Sequence, residues 1–287
     1  LAEAMLFECG QLRRRGTIDG GNTVSDYFPV EKEYGYSVFP SIISYEWKNK
    51  LMNFIDCPGS DDFIGGVVTA LNVTDMALML IDAVDGVEVG TINQFRYVDE
   101  LKKPMMLLVN GMDHEKADYD NTLSGLRETY GNRVVPVQYP VGSGQAFNGI
   151  IDVLKQKYYH WEPGATAPEV REIPENEKER ASEYFQVLLE AAAENDEELM
   201  EKFFDKGTLN EEEMRDGIHK GMLSQSLFPL FCASAEKNMA VHRIMNFLSM
   251  AAPSPDDVPV QVNSAGVEVA PDSSEPASLF FFKTTVE

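Results

Sequence analysis

Residues 105–113, MMLLVNGMD, join a short continuous apolar run to an abrupt polar break. Such a run is typical of a strand that is buried on both faces of a parallel sheet. Similar apolar runs occur at 76–81 and, more weakly, at 227–232. Segments with helical periodicity separate these runs, and strands that alternate with helices indicate a parallel sheet. The sequence therefore predicts an α/β fold with a mostly parallel sheet flanked by helices.

Further elements surround these strands. Amphipathic periodicity predicts helices over 62–73, 89–101, 121–130 and 238–250. Residues 41–47 and 51–55 are apolar or alternating, and the pair Lys48 and Asn49 between them indicates a hairpin. Residues 1–7 have a helical pattern with no capping residue before it, and a polar, glycine-rich loop follows.

The negative charge is concentrated in one part of the chain. The net charge is −23, and residues 169–216 alone hold 17 acidic and 6 basic residues. Helical patterns run through this segment at 175–194, 198–204 and 211–222, and Thr208 and Glu211 have the spacing of a capping box. We expect an α-rich inserted subdomain over 151–226, which interrupts the alternation of strands and helices.

The two ends of the sequence suggest a longer protein. Leu1 already lies in a helical pattern, and residues 279–286 have a strand-like pattern. Residues 252–259 are rich in proline and acidic side chains, which is typical of a linker. We therefore interpret the sequence as a fragment, with a linker and the first strands of a further domain over 253–287.

Composition restricts the function classes. Hydrophobic residues make up 44% and charged residues 25%, the proportions of an ordinary globular protein. No apolar run approaches the length of a membrane span, and the acidic chain lacks the basic face with which proteins bind DNA. The three cysteines are far apart in the sequence, as expected of a protein in a reducing cytoplasm.

Polar residues that could carry chemistry follow the predicted strands. Asp56-Cys57-Pro58-Gly59 follows the hairpin. An aspartate at a strand end can hold Mg²⁺ through water, and a Pro-Gly turn lets a backbone N–H approach a phosphate oxygen. Taken alone, this motif is more often a simple strand-ending turn.

The next strand ends carry residues suited to a purine base. Asp113 can accept two hydrogen bonds from guanine, while Asn110 can hold neighbouring loops together. At 234–238, the small residues Ser234 and Ala235 let backbone N–H groups approach a base edge, and Lys237 can lie along its face. Taken alone, the first motif is more often an Asn-Gly turn, and the second is a helix cap.

Together, in this order, the motifs resemble those of translational GTPases and, within them, the elongation factor G family. Residues 1–10 resemble the helix after the P-loop. We call 23–38 the first switch segment and 56–63 the second switch segment, because they resemble those family regions. The motifs at 110–113 and 234–238 resemble the family's guanine-recognition motifs. The acidic segment resembles its inserted subdomain, and the C-terminal end resembles the start of its second, β-barrel domain.

This resemblance implies a P-loop-GTPase-type fold, with a G domain over 1–150 and 227–252. It implies GTP or GDP as ligand, contacted by Asp56, Gly59, Asn110, Asp113, Ser234, Ala235 and Lys237. Mg²⁺ would be held by Ser37 and, through water, by Asp56. The implied partners are the ribosomal RNA of the large subunit and the stalk proteins, and the implied state is a cytoplasmic monomer acting in translocation.

The departures from the family concern the phosphates and the hydrolytic step. No G-x-x-x-x-G-K-[ST] motif occurs, and the resemblance would put it before Leu1. Ser60 stands where the family has its catalytic histidine, and a serine hydroxyl is shorter and cannot become cationic near neutral pH. Gly111 stands where the family has a lysine that packs on guanine.

Departures in the first switch segment are of two kinds. Ser37 replaces the threonine that caps Mg²⁺, and its hydroxyl can do the same. Tyr34 and Tyr36 replace an arginine and an isoleucine. We therefore predict a factor that binds GTP and hydrolyses it weakly or not at all. The alternatives are an ordinary hydrolysing translational GTPase, and a ribosome-binding module or ribosomal protection factor without nucleotide turnover.

Overall fold

The computed structural model describes residues 1–272 and 274–284. Its strands are β1 (Ser41–Trp47), β2 (Lys50–Asp56), β3 (Ala77–Asp82), β4 (Met105–Asn110), β5 (Val134–Pro136), β6 (Gln138–Val141), β7 (Gly149–Asp152), β8 (Lys157–His160), β9 (Glu169–Arg171), β10 (Phe228–Ala233), β11 (Gln261–Val262) and β12 (Glu268–Val269). Its α-helices are α1 (Ala2–Glu8), α2 (Pro29–Tyr34), α3 (Ile64–Leu71), α4 (Val89–Glu100), α5 (Tyr119–Tyr130), α6 (Lys178–Ala193), α7 (Glu197–Lys206), α8 (Glu211–Leu223) and α9 (Val241–Ala251).

A parallel sheet in the order β3-β4-β10-β5 forms the centre of the fold and confirms the predicted class. In β4, residues 105–109 are fully buried, as their continuous apolar run predicts. The same expectation is wrong for β3, where Leu80 remains 45% exposed. Among the strands that the structure describes, β3 pairs only with β4, so it is an edge strand with one face left partly open. The short strand β5 is apolar, but it is three residues long and no strand was predicted there.

The carboxyl ends of three parallel strands are level with one another. Asp82 on β3 is in register with Asn110 on β4, and Asn110 is in register with Ala233 on β10. The loops that follow these strands therefore begin at the same edge of the sheet. This edge is where open α/β sheets place their ligands.

The predicted hairpin is confirmed and lies beside α9. β1 and β2 pair antiparallel in a separate sheet, and their connecting residues Lys48 and Asn49 have φ angles of 49° and 62°. Positive φ at both positions is the geometry of a type I′ turn, which matches the twist of a hairpin. The indole N–H of Trp47 donates to the side-chain oxygen of Asn246 on α9 at 3.1 Å, so the hairpin is attached to the main core.

Between β5 and β10 the chain leaves the parallel sheet and forms a second unit. The helices α6, α7 and α8 confirm the predicted helical patterns, but an antiparallel sheet in the order β6-β7-β8-β9 was not predicted. Its strands are three or four residues long, too short to show a clear alternation. The expected capping box is also wrong by two positions: Asn210 and Glu213 form it, with hydrogen bonds of 2.8 and 3.0 Å. The division at 151 and 226 stays a prediction.

The C-terminal segment makes few regular contacts. β11 and β12 form a short antiparallel pair, and the residues at 279–284 form no strand. The remainder of the strand predicted at 279–286 lies outside the described residues. Lys283 donates to the backbone oxygen of Pro40, so this segment touches the region between the first switch segment and β1. Among the described helices, none is both long and apolar enough to cross a membrane.

Candidate functional site

The loops after β4 and β10 are joined by hydrogen bonds. The side-chain oxygen of Asn110 accepts from the backbone N–H of Ala235 at 3.0 Å, and the backbone N–H of Met112 donates to Ala233 at 3.2 Å. Asn110 therefore holds the neighbouring loops together, as its place at the strand end predicts. The two loops form one surface at the carboxyl edge of the sheet.

The loop at 234–239 is a closed turn. Ser234 and Met239 exchange two backbone hydrogen bonds, of 3.2 and 2.9 Å, and the Ser234 hydroxyl accepts from the backbone N–H of Lys237 at 3.0 Å. Ser234 is fully buried, whereas the Lys237 side chain is exposed. The turn therefore fixes its own backbone and leaves the lysine free to lie against a ligand.

Glycine at position 111 fits the backbone of this loop. Gly111 has φ +83°, a conformation that costs a residue with a β-carbon about 1–2 kcal/mol. A β-carbon there would lie 3.6 Å from the Asp82 carboxylate, which is ordinary contact. The half-buried side chain of Asp113 follows two residues later. The loss of the family's lysine therefore leaves the loop intact.

Arg15 is a site residue that sequence reasoning missed. Its guanidinium donates to the backbone oxygens of Ala235 at 2.7 Å and Glu236 at 2.6 Å, and lies over the Phe7 ring. The side chain of Asn238 also donates to Glu8 on α1. In the sequence, Arg15 is one of three consecutive arginines, and nothing in that run distinguishes it from its neighbours.

Replacing Arg15 with methionine is expected to loosen the 234–239 turn and weaken guanine-nucleotide binding by about tenfold, since hydrogen bonds from a charged donor contribute about 1.5–3 kcal/mol. Methionine keeps an apolar stem against Phe7. Arg14→Met is the matched control, because Arg14 is an exposed neighbour in the same run. The measurement is the dissociation constant for fluorescent GDP. Equal affinities of the two variants would contradict the role of Arg15.

Asp56 ends β2 in an acidic environment. Burial raises the pKa of its carboxyl group, and the nearby carboxylates of Asp26 and Glu31 raise it further. A hydrogen bond from the Ser25 side chain opposes these effects. Asp26 also accepts a hydrogen bond from the Ser37 hydroxyl at 2.6 Å. Asp26, which sequence reasoning did not select, thus contacts Ser37 and lies near enough to Asp56 to raise the pKa of its carboxyl group.

The donor set of this acidic cluster fits Mg²⁺. Asp26, Ser37 and Asp56 offer hard oxygen atoms, and their excess negative charge is of the sign that a cation relieves. Among residues 1–272 and 274–284, no three His, Cys, Asp or Glu side chains form a metal cluster. Mg²⁺ usually takes only one or two protein carboxylates and completes its shell with phosphate oxygens and water.

Glu31 organises the first switch segment. It is 1% exposed, and its carboxylate accepts backbone hydrogen bonds from Phe28 at 3.1 Å and from Val38 and Phe39 at 3.0 Å. These charge-assisted bonds close the segment on itself. In the sequence, Glu31 lies in the charged run 31–33. No pattern there predicts a buried carboxylate.

The hydroxyl of Ser60 has a local structural role. Ser60 is exposed and begins a 3₁₀ turn over Asp61–Phe63, and its oxygen accepts from the backbone N–H of Asp62 at 3.4 Å. The helix predicted at 62–73 therefore begins later than expected, at Ile64. Ser60 acts here as a weak cap. This one accepted bond leaves the hydroxyl proton of Ser60 free to donate.

The predicted site residues fall into two groups. Asn110, Asp113, Ser234, Ala235 and Lys237 lie on the joined loops of the parallel sheet. Ser37, Asp56, Gly59 and Ser60 belong to the switch segments, and Asp56 lies on the separate hairpin sheet. Arg15 connects the loop that precedes the first switch segment to the first group. The roles of these residues in binding a ligand stay predictions.

Comparison with known proteins places this architecture in a family. Residues 1–254 match the family model described as the elongation factor Tu GTP-binding domain. Elongation factor G of Salinibacter ruber is 34% identical over 296 aligned positions, which cover 100% of this chain and 42% of that protein. An elongation factor G-like protein of Thermotoga maritima is 32% identical, covering 96% of this chain and 40% of its own length. The chain thus spans about two fifths of these relatives.

A solved structure shows the same fold. A crystal structure of a protein from Thermus thermophilus superimposes with a TM-score of 0.83 at 32% sequence identity. The match covers 89% of this chain and 38% of the other. The shared architecture therefore extends over nearly all of the present sequence.

Proposed function

Because the chain belongs to the elongation factor Tu GTP-binding domain family and resembles elongation factor G within it, we propose that it binds guanine nucleotide. We propose further that it is part of a ribosome-directed factor that hydrolyses GTP weakly or not at all. The observation that supports nucleotide binding is the joined pair of loops at the sheet edge. Asn110 holds the turn at 234–239 to the loop that carries Asp113, and the side chain of Asp113 is half-buried.

The proposed contacts follow from this arrangement. Asp113 would accept hydrogen bonds from guanine, and Lys237 would lie along its face. The proposed nucleotide contacts are Asp56, Gly59, Asn110, Asp113, Ser234, Ala235 and Lys237. Bound Mg²⁺ would supply positive charge at the phosphates. Ser37 and Asp56 would hold it, with Asp26 orienting the Ser37 hydroxyl.

Weak hydrolysis is supported by the chemistry of position 60. The rate of phosphoryl transfer from GTP to water depends on polar groups that position the water and on electrostatic stabilisation of the transition state. A serine hydroxyl that caps a turn does not replace an imidazole that hydrogen-bonds water. Asp61 is a poor substitute, because a negative charge near the terminal phosphate opposes the reaction.

The proposed partner is the ribosome, and the proposed step is translocation. We propose that the protein acts there as a monomer in the cytoplasm. On the acidic unit, the side chains of Glu194, Glu197 and Glu198 are exposed. Phe204, which is 77% exposed, lines one surface depression with Glu194 and Glu197. An acidic surface with an exposed apolar side chain suits a partner of basic and apolar character, which supports contact with stalk proteins.

The proposed domain division has three parts. They are a G domain (1–150 and 227–252), an insert (151–226) and a linker with the next domain's first strands (253–287).

Titration with fluorescent GDP tests the proposed binding. Replacing Asp113 with alanine is expected to weaken GDP binding by about 10²-fold, since two hydrogen bonds to a charged acceptor are lost. Glu115→Ala, which removes an exposed carboxylate from the same loop, is the control and should bind as the unaltered protein does. The protein is used at its natural length. Failure of the unaltered protein to bind GDP would contradict the proposal and favour a module without nucleotide.

A further inference from the structure

Helix α4 holds the second switch segment through two side-chain amides. Gln94 donates from Nε2 to the backbone oxygen of Gly59 at 3.0 Å. Asn93 donates from Nδ2 to the Asp61 carboxylate at 2.8 Å. The helix also approaches closely at Gly90, where a β-carbon would lie 3.5 Å from the same carboxylate. Consecutive residues of one helix therefore hold both sides of Ser60.

The first switch segment and the residues after it contact the second switch segment and α3. The ring of Tyr36 lies 6.5 Å from that of Phe63, centroid to centroid. Pro40 packs on α3 so closely that a β-carbon at Gly66 would stand 2.7 Å from its ring. The region 59–66 is thus in contact with α4 on one side and with residues 36–40 on the other. Movement of 59–61 requires breaking the amide bonds to α4.

These contacts bear on how the segment responds to a nucleotide. A ligand shifts a conformational equilibrium only by the difference between its interactions with the two states. One neutral hydrogen bond and one hydrogen bond to a carboxylate, both made in only one state, bias that state by at least about tenfold. A segment held in this way keeps its arrangement unless the terminal phosphate overcomes that bias.

We propose that Asn93 and Gln94 are positioning residues that hold residues 59–61 against α4, so that the second switch segment keeps one arrangement whichever guanine nucleotide is bound. This inference rests on the proposed nucleotide binding. The Gln94 and Asn93 amide groups already donate to Gly59 and Asp61. They hold the loop, and they do not take the place of the missing imidazole.

Amide hydrogen exchange tests this arrangement in the protein at its natural length. The peptide that covers 59–66 is followed with GDP and with a non-hydrolysable GTP analogue bound. Equal exchange in the two states is expected for the unaltered protein. In the double variant N93A/Q94A, exchange is expected to rise about tenfold and to differ between the two nucleotides. Arg96→Ala, an exposed change on the same helix, is the control and should leave exchange unaltered.

Two results would overturn the inference. One is a tenfold or larger difference in exchange between the two nucleotides in the unaltered protein. The other is unchanged exchange in N93A/Q94A. If the double variant fails to fold, Gln94→Met removes that donor without adding a charge, and exchange is then expected to rise by a smaller factor because the Asn93 bond remains. The binding of fluorescent GDP is measured for each variant, so that a loss of nucleotide binding is distinguished from a change in the loop. If no nucleotide binds, hydrogen exchange in the nucleotide-free protein still tests the contact between residues 59–61 and α4.

Discussion

Replacing Ser60 with histidine is expected to raise GTP hydrolysis on the ribosome by about 10²-fold or more, the contribution of a positioned acid–base group. An imidazole can hydrogen-bond a water molecule and can carry a proton near neutral pH, whereas a hydroxyl cannot take a positive charge there. The measurement is multiple-turnover phosphate release, with the protein at its natural length and with ribosomes.

The structure indicates that this substitution is tolerated. Ser60 is exposed, and the bond it accepts from Asp62 is long, at 3.4 Å, so removing this cap costs at most about 1 kcal/mol. Ser60→Ala removes the same cap without adding an imidazole, and it should leave the rate unchanged. A histidine variant no faster than the alanine variant would contradict the proposed defect. So would an unaltered protein that matches an ordinary elongation factor.

Position 111 should be left as glycine in this experiment. Its φ of +83° would strain a lysine by about 1–2 kcal/mol, and the loop around it is already closed by hydrogen bonds. A variant changed at both positions would combine a faster rate of hydrolysis with a less stable loop at 111. The single substitution at position 60 tests the rate of hydrolysis alone.

Patterns of local sequence were enough to predict three of the four strands of the parallel sheet, β3, β4 and β10. The apolar run that becomes β4 and the helices between the strands follow from periodicity alone, because burial on two faces demands continuous apolar residues. The antiparallel strands β6 to β9 could not be found in this way. They are short, and their stability comes from pairing with one another, which no local pattern records.

The residues of the candidate site likewise divide into those that the sequence suggests and those that only the fold brings together. Asn110, Asp113 and Ser234 could be proposed because they stand at the ends of predicted strands, in an order that resembles the guanine-recognition motifs of the elongation factor G family. Arg15 and Glu31 could not, since their partners are backbone groups whose positions depend on the fold. A charged side chain that binds backbone atoms has no complementary residue in the sequence to reveal it.

Replacing Asp152 with alanine is expected to cost about 3–5 kcal/mol of the free energy of unfolding, the range for breaking a buried ion pair. Asp152 ends β7 and is 2% exposed. Its carboxylate accepts from the Arg243 guanidinium on α9 and from the backbone N–H of Lys155 at 2.8 Å. Arg243 also lies over the Tyr159 ring. The pair therefore joins the antiparallel sheet to a helix of the main core, and urea unfolding measures its contribution.

The cost in free energy of unfolding depends on how deeply the ion pair is buried. A second, more exposed ion pair in the same chain provides the control. Asp120 on α5 and Arg180 on α6 also join the two units, but the Asp120 side chain is 69% exposed. Asp120→Ala should therefore cost no more than about 1 kcal/mol. Most of the cost of Asp152→Ala should come from the cation left without a partner, so adding Arg243→Met should recover part of it. A double variant less stable than Asp152→Ala would show that the loss comes instead from packing around Arg243.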